Sequence, residues 1–349
     1  MTTDKKLFAG QIKEGQAIAD IFLIKDMSRA ETRAAKPYLI MTLMDRTGEI
    51  EARLWENADA FLGICEPGNL VYVSGQAQAY RGALQIKIDN VMQLDRPDVD
   101  MGLFLQSSKR NIADMAREIT ALAKGVRDPH CRKLLHKFFN NKDFFTEFQR
   151  APAAKSMHHA YLGGLLEHTL TVAQLAEMLA GFYQALDRDL LITGALLHDI
   201  GKTRELAFAA IPFDYTDSGR LVGHLVLGAE MVREVVGTIP DFPEDLAVRL
   251  QHIILSHHGR YEFGSPTLPM MSEAFVLNFL DDLDAKLNFL ARLEEHAPEA
   301  GYQWTDFQRT LERFLFIKGR PQAEPENGDL QEQPADAAAG QNSRQRNLF

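Results

Sequence analysis

The chain has 349 residues, of which 46% are hydrophobic and 25% charged, a mix typical of folded globular proteins. At about 100–200 residues per domain, this length predicts two or three domains. The formal net charge of -10 argues against a protein that coats nucleic acid by bulk charge alone, although it leaves room for a local basic surface. We see no apolar run long enough for a signal peptide or a membrane span, and therefore expect a cytoplasmic protein without membrane contact.

The cysteines and histidines indicate where metal chemistry would lie. The chain has 2 cysteines, Cys65 and Cys131, and they form no close pair, which argues against a thiolate metal site and a disulfide scaffold. Histidine and carboxylate side chains would therefore hold any metal. Most of the 11 histidines lie between His130 and His258, so we look for chemistry there.

Residues 1–97 are predicted to form a small β-barrel. Short stretches rich in β-branched and aromatic residues are separated by turn formers such as Pro67–Asn69. The polar loop after the first strand and the helical stretch before the fourth resemble an OB-fold, a platform for single-stranded nucleic acid. A barrel without a ligand is the alternative. Trp55, Tyr72 and Tyr80 are candidates for stacking on bases, although Trp55 is expected to be buried at the end of its strand.

Residues 98–155 are predicted to be a basic helical connector. Residues 103–160 contain more Lys and Arg than Asp and Glu, an excess of about six positive charges in an acidic chain. Apolar residues at helical spacing, such as Ile112, Met115 and Ile119, indicate an amphipathic helix. Contact with phosphates is the functional interpretation, and a solvated face over a Phe-rich core is the alternative.

Residues 156–318 are predicted to form one domain that is almost wholly helical over 160–318, with periodic Leu, Ala and Phe and with hairpin strands expected only around residues 211–221. The expected helices cover 160–182, 187–200, 223–237, 243–258, 271–296 and 304–317. Five of these elements supply His or Asp in order: His168, His198 with Asp199, His224, His257 with His258, and Asp281. Any one of these side chains is more often structural than a ligand. Seven of them on five successive elements are unusual, and imidazole with carboxylate suits Mn, Fe, Co, Ni or Zn, so we predict a metal site.

The tail, residues 319–349, is rich in Pro, Gln, Glu, Ala and Gly and is predicted to be disordered. It ends in the letters QRNLF, which resemble the QxxLF peptides that bacterial proteins insert into the sliding clamp. The contacts in such a complex would be made by Gln345, Leu348 and Phe349. A chance terminal Leu-Phe is the alternative.

The order of His168, the His198-Asp199 pair and Asp281 resembles that of the HD-domain metal-dependent phosphohydrolases. The wider strings LHDIGK at 197–202 and SHHG at 256–259 resemble the YhaM family of 3′→5′ exoribonucleases, over about residues 12–318. The resemblance implies a multidomain fold, a small OB-fold β-barrel followed by an all-α HD-domain helical bundle. It also implies hydrolysis of single-stranded RNA, and of single-stranded DNA as a further substrate, to nucleoside 5′-monophosphates.

The resemblance further implies two divalent ions, with Mn expected. The first ion would be held by His168, His198, Asp199 and Asp281, and the second by His224, His257, His258 and, as a bridge, Asp199. Two choices stay open, because Asp282 or Asp284 could replace Asp281, and His252 could replace one histidine of the doublet. Asp284 would otherwise hold a helix contact or bond to a ligand histidine.

Other polar residues near these ligands are candidates for catalysis and substrate binding. Lys202, three residues after Asp199, would meet the phosphoryl charge, unless it is a surface lysine at a helix start. His158, His159 and Arg260 would contact substrate at the rim, unless the two histidines pack under the first helix. Two rival functions stay open: a phosphohydrolase of small nucleotides, and a non-catalytic single-strand-binding factor with a structural metal site.

Overall fold

The computed structural model describes residues 5–32, 34–80, 83–94, 101–105, 107–155, 159–208, 213–295, 297 and 300–319. Two compact units divide the chain, Met1–Phe289 and Leu290–Phe349. The predicted substrate contact His158 and the predicted clamp peptide, with Gln345, Leu348 and Phe349, lie outside the described residues.

The first unit begins with a closed barrel of five strands, which confirms the predicted OB-fold. The strands are β1 (Ala17–Glu31), β2 (Pro37–Asp45), β3 (Gly48–Leu54), β4 (Leu70–Tyr80) and β5 (Ala83–Leu94). Their order is β1-β2-β3-β5-β4, and β4 closes the barrel by pairing with β1. The β3–β5 pairing is parallel. Alternate residues of β2, such as Leu39, Met41 and Leu43, point into the barrel core, as the two-residue period of a strand requires.

Helices form the rest of the first unit and confirm the predicted helical domain. They are α1 (Ile112–Gly125), α2 (Pro129–Phe139), α3 (Lys142–Arg150), α4 (Gly164–Phe182), α5 (Arg188–Leu197), α6 (Lys202–Glu205), α7 (Asp217–Leu221), α8 (His224–Val236), α9 (Glu244–Ser256) and α10 (Ser272–Glu295), whose last turns belong to the second unit. A short pair, β6 (Leu206–Ala207) with β7 (Asp214–Tyr215), lies between α6 and α7. None of the helices in the described ranges is long and apolar enough to cross a membrane.

The helices α1–α3, which cover most of the predicted basic connector, share one apolar core with α4, α5, α8, α9 and α10. Each of the three begins at a side chain that accepts hydrogen bonds from the first-turn amides: Asn111, Asp128 and Asn141. Their apolar faces are buried against α4 and α5, and their basic residues lie on the opposite, exposed faces.

An apolar seam joins the barrel to the helices. Ile21 and Leu23 of β1 pack there with Phe104 and Phe213, which come from the chain beyond the barrel. Tyr72 of β4 lies against the same cluster. Tyr72 is therefore half-buried in the seam between barrel and helices, which favours a packing role over the predicted stacking on bases.

The second unit contains a hairpin of β8 (Gly301–Trp304) and β9 (Phe316–Gly319). The prediction of a helix over 304–317 is wrong. Tyr302 and Trp304 are exposed on β8, and Phe316 is exposed on β9, where it is followed by the buried Ile317. This is the two-residue alternation of strands. The apolar residues between the strands imitate a helical pattern, but they belong to a turn-rich connection.

Candidate functional site

Two histidines of the predicted metal site stand at the C-terminal ends of buried helices. His198 caps α5 and His257 caps α9. Each donates from Nδ1 to the carbonyl oxygen three residues earlier, of Ala195 and Ile254, at 2.8 Å. Because the proton is held at Nδ1, the lone pair of Nε2 points into the space between the helices. Both imidazoles are completely buried.

Three more histidines are oriented in the same way. His168 Nδ1 donates to Asp284 Oδ2 at 2.6 Å, His224 Nδ1 to Glu205 Oε1 at 2.8 Å, and His258 Nδ1 to the carbonyl oxygen of Phe263 at 2.8 Å. All five Nε2 atoms therefore face the interior of the cluster, where imidazole nitrogens can bind a cation. At metal sites, a hydrogen-bond acceptor for the second ring nitrogen of a ligand histidine is usual, because it fixes the tautomer and the ring orientation.

The Nε2 atoms converge in two groups. His168 and His198 have their Nε2 atoms 3.2 Å apart, and those of His224 and His258 are also 3.2 Å apart. Two lone pairs at this distance repel unless a positive charge lies between them. Ligands about 2.0–2.2 Å from a single ion lie about 3 Å from one another, so the spacing suits a shared cation.

Asp199 lies between the two groups and faces both. Its Oδ2 is 3.5 Å from His168 Nε2 and 3.4 Å from His198 Nε2, whereas its Oδ1 is 3.6 Å from His224 Nε2 and 3.5 Å from His257 Nε2. Asp199 Oδ1 and His257 Nε2 are buried without a hydrogen-bond partner among the described residues, and Asp199 Oδ2 has the Lys202 ammonium at 2.6 Å. Unsatisfied polar atoms are expensive in a protein interior, so Asp199 Oδ1 and His257 Nε2 fit a cation.

Asp281 is the fourth candidate ligand of the first group. Its Oδ1 lies 3.1 Å from His168 Nε2. The neighbouring Asp282 is paired with Lys286 on the surface of α10, and His252 accepts a hydrogen bond from the amide of Met270 at 3.0 Å. The geometry therefore favours Asp281 over Asp282. It also favours the doublet His257-His258 over His252.

Lys202 is inside the cluster. Its Nζ lies 2.6 Å from Asp199 Oδ2, and its side chain is buried, which is inconsistent with the surface-lysine alternative. Burial by itself lowers the pKa of the Lys202 ammonium, but the carboxylates of Asp199 and Asp281 outweigh burial and raise that pKa. Burial likewise favours a neutral Asp199, yet Lys202 and His198 bring the pKa of its carboxyl well below the usual value. The cluster therefore stabilises a charged lysine beside ionised carboxylates.

The structure contradicts the prediction that His159 contacts substrate at the rim. His159 is 3% exposed, because it packs behind His168. Its Nε2 donates to Asp284 Oδ2 at 2.9 Å, the same oxygen that His168 engages. His159 and Asp284 thus hold His168 in place, as the alternative of a packed histidine implied. Arg260 is exposed two residues after His258 and stays a predicted substrate contact.

Sequence reasoning did not identify Glu205, which accepts from both the ring and the backbone amide of His224. It therefore orients a candidate ligand and also caps α8. A second missed feature is the close approach of α6 to α8. A Cβ at Gly201 would lie 2.1 Å from the carbonyl oxygen of His224, so only glycine allows Asp199 and His224 to come together. The dipeptide Gly201-Lys202, shortly after the His198-Asp199 pair, was the sequence signal from which this close approach could have been predicted.

The barrel carries a separate aromatic surface. Tyr38, at the start of β2, stacks on Trp55 with ring centroids 4.4 Å apart and planes 18° apart. Trp55 is 36% exposed, which corrects the expectation that it is buried, and Tyr80 is 47% exposed. The Arg53 guanidinium lies 5.9 Å from the ring centre of Trp55 and 5.3 Å from that of Tyr80. Strands 2 and 3 form the ligand face of OB-folds, and stacked rings with a cation suit single-stranded nucleic acid.

The fold and this site define the chain as a metal-dependent HD-domain phosphohydrolase joined to an OB-fold. Residues 165–286 match the family model described as HD domain, and residues 23–94 match the model described as OB-fold nucleic acid binding domain. The chain belongs to the YhaM family.

Two relatives named 3′-5′ exoribonuclease YhaM illustrate the match. The protein of Halalkalibacterium halodurans is 35% identical over 282 residues, which cover 80% of this chain and 87% of that protein. The protein of Bacillus subtilis is 33% identical over 305 residues, which cover 87% of this chain and 95% of that protein. The similarity therefore includes both the barrel and the helical domain.

Proposed function

We propose that this chain is a metal-dependent 3′→5′ exoribonuclease that shortens single-stranded RNA to nucleoside 5′-monophosphates, with single-stranded DNA as a further substrate. The observation that carries the proposal is the inward convergence of five histidine Nε2 atoms around the buried Asp199 carboxylate. The partly exposed Tyr38–Trp55 stack on an OB-fold supports a single-stranded substrate, and the names of the relatives support RNA and the polarity.

The donor set suits two divalent ions, with Mn proposed. His168, His198 and Asp281 would hold one ion, His224, His257 and His258 the other, and the two oxygens of Asp199 would bridge them. Bound there, such ions neutralise phosphate charge and make hydroxide available at neutral pH. The protein contributes the fixed orientation of the ligands and a dry site.

The oxygen of a water molecule attacks the phosphorus of the last phosphodiester in line and forms a new P–O bond, while the bond between phosphorus and the 3′ oxygen of the penultimate nucleotide breaks. The released nucleotide then keeps its 5′ phosphate, and the 3′ oxygen takes a proton from water. Lys202 would add positive charge at the phosphoryl group from its position beside Asp199. Burial raises the pKa of the Cys65 thiol to about 11 and of Cys131 to about 12, so neither supplies a thiolate nucleophile.

The test is incubation of the purified full chain with Mn and 5′-labelled single-stranded RNA, alongside DNA of the same sequence. We expect a ladder of products that shortens stepwise from the 3′ end, release of nucleoside 5′-monophosphates, and no products in EDTA. Intact RNA under Mn, Fe, Co, Ni and Zn, or shortening from the 5′ end, would contradict the proposal. Hydrolysis of free nucleotides alone would favour the small-nucleotide phosphohydrolase.

The Trp55→Ala substitution should weaken RNA binding about tenfold, because one stacked base contributes about 1–3 kcal/mol. The hydrolysis rate at saturating RNA should change little, since Trp55 lies on the barrel and not at the metal ligands. Fluorescence anisotropy with labelled RNA in EDTA measures the binding, and Trp304→Ala, in the second unit, is the control. Equal binding by Trp55→Ala and wild type would exclude the Tyr38–Trp55 stack as the base platform.

Deletion of residues 345–349 tests the predicted clamp peptide. If Gln345, Leu348 and Phe349 bind the hydrophobic pocket of a sliding clamp, the full chain should retain the clamp in a pull-down and the truncated chain should not. Nuclease activity should be the same in both. Unchanged retention of the clamp would rule the peptide out.

A cytoplasmic location also stays a proposal, tested by cell fractionation.

A further inference from the structure

A cavity outside the metal centre lies at the surface of the first unit, with a volume of about 760 Å³. It is formed by α1, α2 and the turn after α8. Its apolar lining includes Ala123, Leu135, Phe139 and Ile239. This volume is within the range of about 300–1,000 Å³ that is usual for small-molecule sites.

The cavity is rimmed by positive charge. Lys124 of α1 and Arg132, Lys133 and Lys137 of α2 all line it and are exposed. No Asp or Glu is among the lining residues that the structure describes, and within the described ranges none of these four cations makes an ion pair. In a chain with a net charge of -10, four cations without a carboxylate form a distinct anion-attracting surface.

The cations are also crowded. Lys133 and Lys137 lie four residues apart on one helix, a spacing at which like charges repel, and Arg132 is adjacent. An anion bound at the rim would relieve this repulsion. The apolar lining beneath the rim would suit a flat ring, whose polar edge could reach Asn140 or Thr120 at the wall. A phosphate at the basic rim and a base against the apolar lining are the two parts of a nucleotide that this cavity would contact.

We propose that this cavity binds a nucleotide through its phosphate and base, away from the metal centre. The nucleotide would be a unit of the single-stranded substrate or a free mononucleotide. If the nucleotide is a unit of the strand, the inference rests on the proposed nuclease function, and the basic helices form a second binding site for the RNA. As a free nucleotide, it gives the enzyme a site for the product of its own reaction.

The test compares two double variants of the full chain that carry the same change in charge. Lys133→Glu with Lys137→Glu alters the cavity, whereas Arg117→Glu with Lys142→Glu alters exposed residues of α1 and α3 that do not line it. Binding of single-stranded RNA of about 16 nucleotides is measured by anisotropy in EDTA between about 50 and 200 mM salt. Binding of AMP is measured by calorimetry.

We expect the cavity variant to bind RNA about tenfold more weakly than the control variant, with a slope of log affinity against log salt that is smaller by about 1. Loss of AMP binding with RNA binding retained would assign the free nucleotide as the ligand. Equal RNA and AMP binding by the two variants would overturn the proposal. If the wild-type chain shortens RNA while the two variants bind RNA and AMP equally, only the cavity proposal fails. If the wild-type chain leaves RNA intact, the proposed function fails.

Discussion

The Asp199→Asn substitution is expected to reduce RNA hydrolysis by about 1,000-fold or more, equivalent to about 4 kcal/mol of transition-state stabilisation. The two Asp199 oxygens each face two histidine Nε2 atoms, and within the described structure Oδ1 has no hydrogen-bond partner while Oδ2 is paired with Lys202. Asparagine has the same shape but lacks the charge, and its amide NH₂ cannot be a ligand. Both candidate metal positions would therefore lose a shared donor.

Three measurements on Asp199→Asn separate this role from a structural one. Bound metal, measured by elemental analysis, should fall, whereas RNA binding in EDTA should stay within about twofold of wild type because the barrel is untouched. Thermal unfolding without metal should stay cooperative but have a lower midpoint, because asparagine leaves the buried Lys202 ammonium without its nearest counter-charge. His252→Ala is the control and should leave activity unchanged. Near-normal hydrolysis by Asp199→Asn would exclude the bridging role and favour a binding factor with a structural metal site.

The sequence could predict which candidate ligands come together, because each motif places its metal-binding side chains within a few residues of one another. His198 and Asp199 are adjacent, and the helix ends at this pair, so local sequence already places an imidazole and a carboxylate at one point. The same holds for His257 and His258 after α9. The motifs do not reveal the hydrogen-bond acceptors of these histidine Nδ1 atoms. Those acceptors are backbone carbonyls, which every residue type supplies.

Contacts between distant residues were harder to predict. His168 and Asp284 are 116 residues apart, and only the packing of α4 beside α10 shows that Asp284 orients His168 instead of joining the ligands. Tyr38 and Trp55 face each other because β2 pairs with β3 in the register Leu39 to Leu54, which strand patterns alone do not specify. In the second unit, the prediction of a helix was based on the spacing of apolar residues. It did not take account of the two-residue alternation of Tyr302 and Trp304, which is typical of a strand.

The Asp284→Ala substitution should weaken metal binding 10- to 100-fold without abolishing catalysis. Asp284 Oδ2 accepts from His168 Nδ1 at 2.6 Å and from His159 Nε2 at 2.9 Å, so it holds the ring whose Nε2 faces Asp199 and Asp281. Without it, His168 can rotate or protonate at the wrong nitrogen. The reacting groups stay in place, and for this reason a higher Mn concentration should restore hydrolysis to near the wild-type rate.

A titration of hydrolysis rate against Mn concentration measures this effect. The midpoint should move 10- to 100-fold for Asp284→Ala, and less for Asp284→Asn, which keeps an acceptor oxygen but loses the charge. Asp282→Ala is the matched control, because Asp282 lies two residues earlier on α10 and pairs with Lys286 at the surface. A maximal rate that stays low at every Mn concentration would assign Asp284 a direct part in the reaction, whereas an unchanged midpoint would show that His168 does not depend on it.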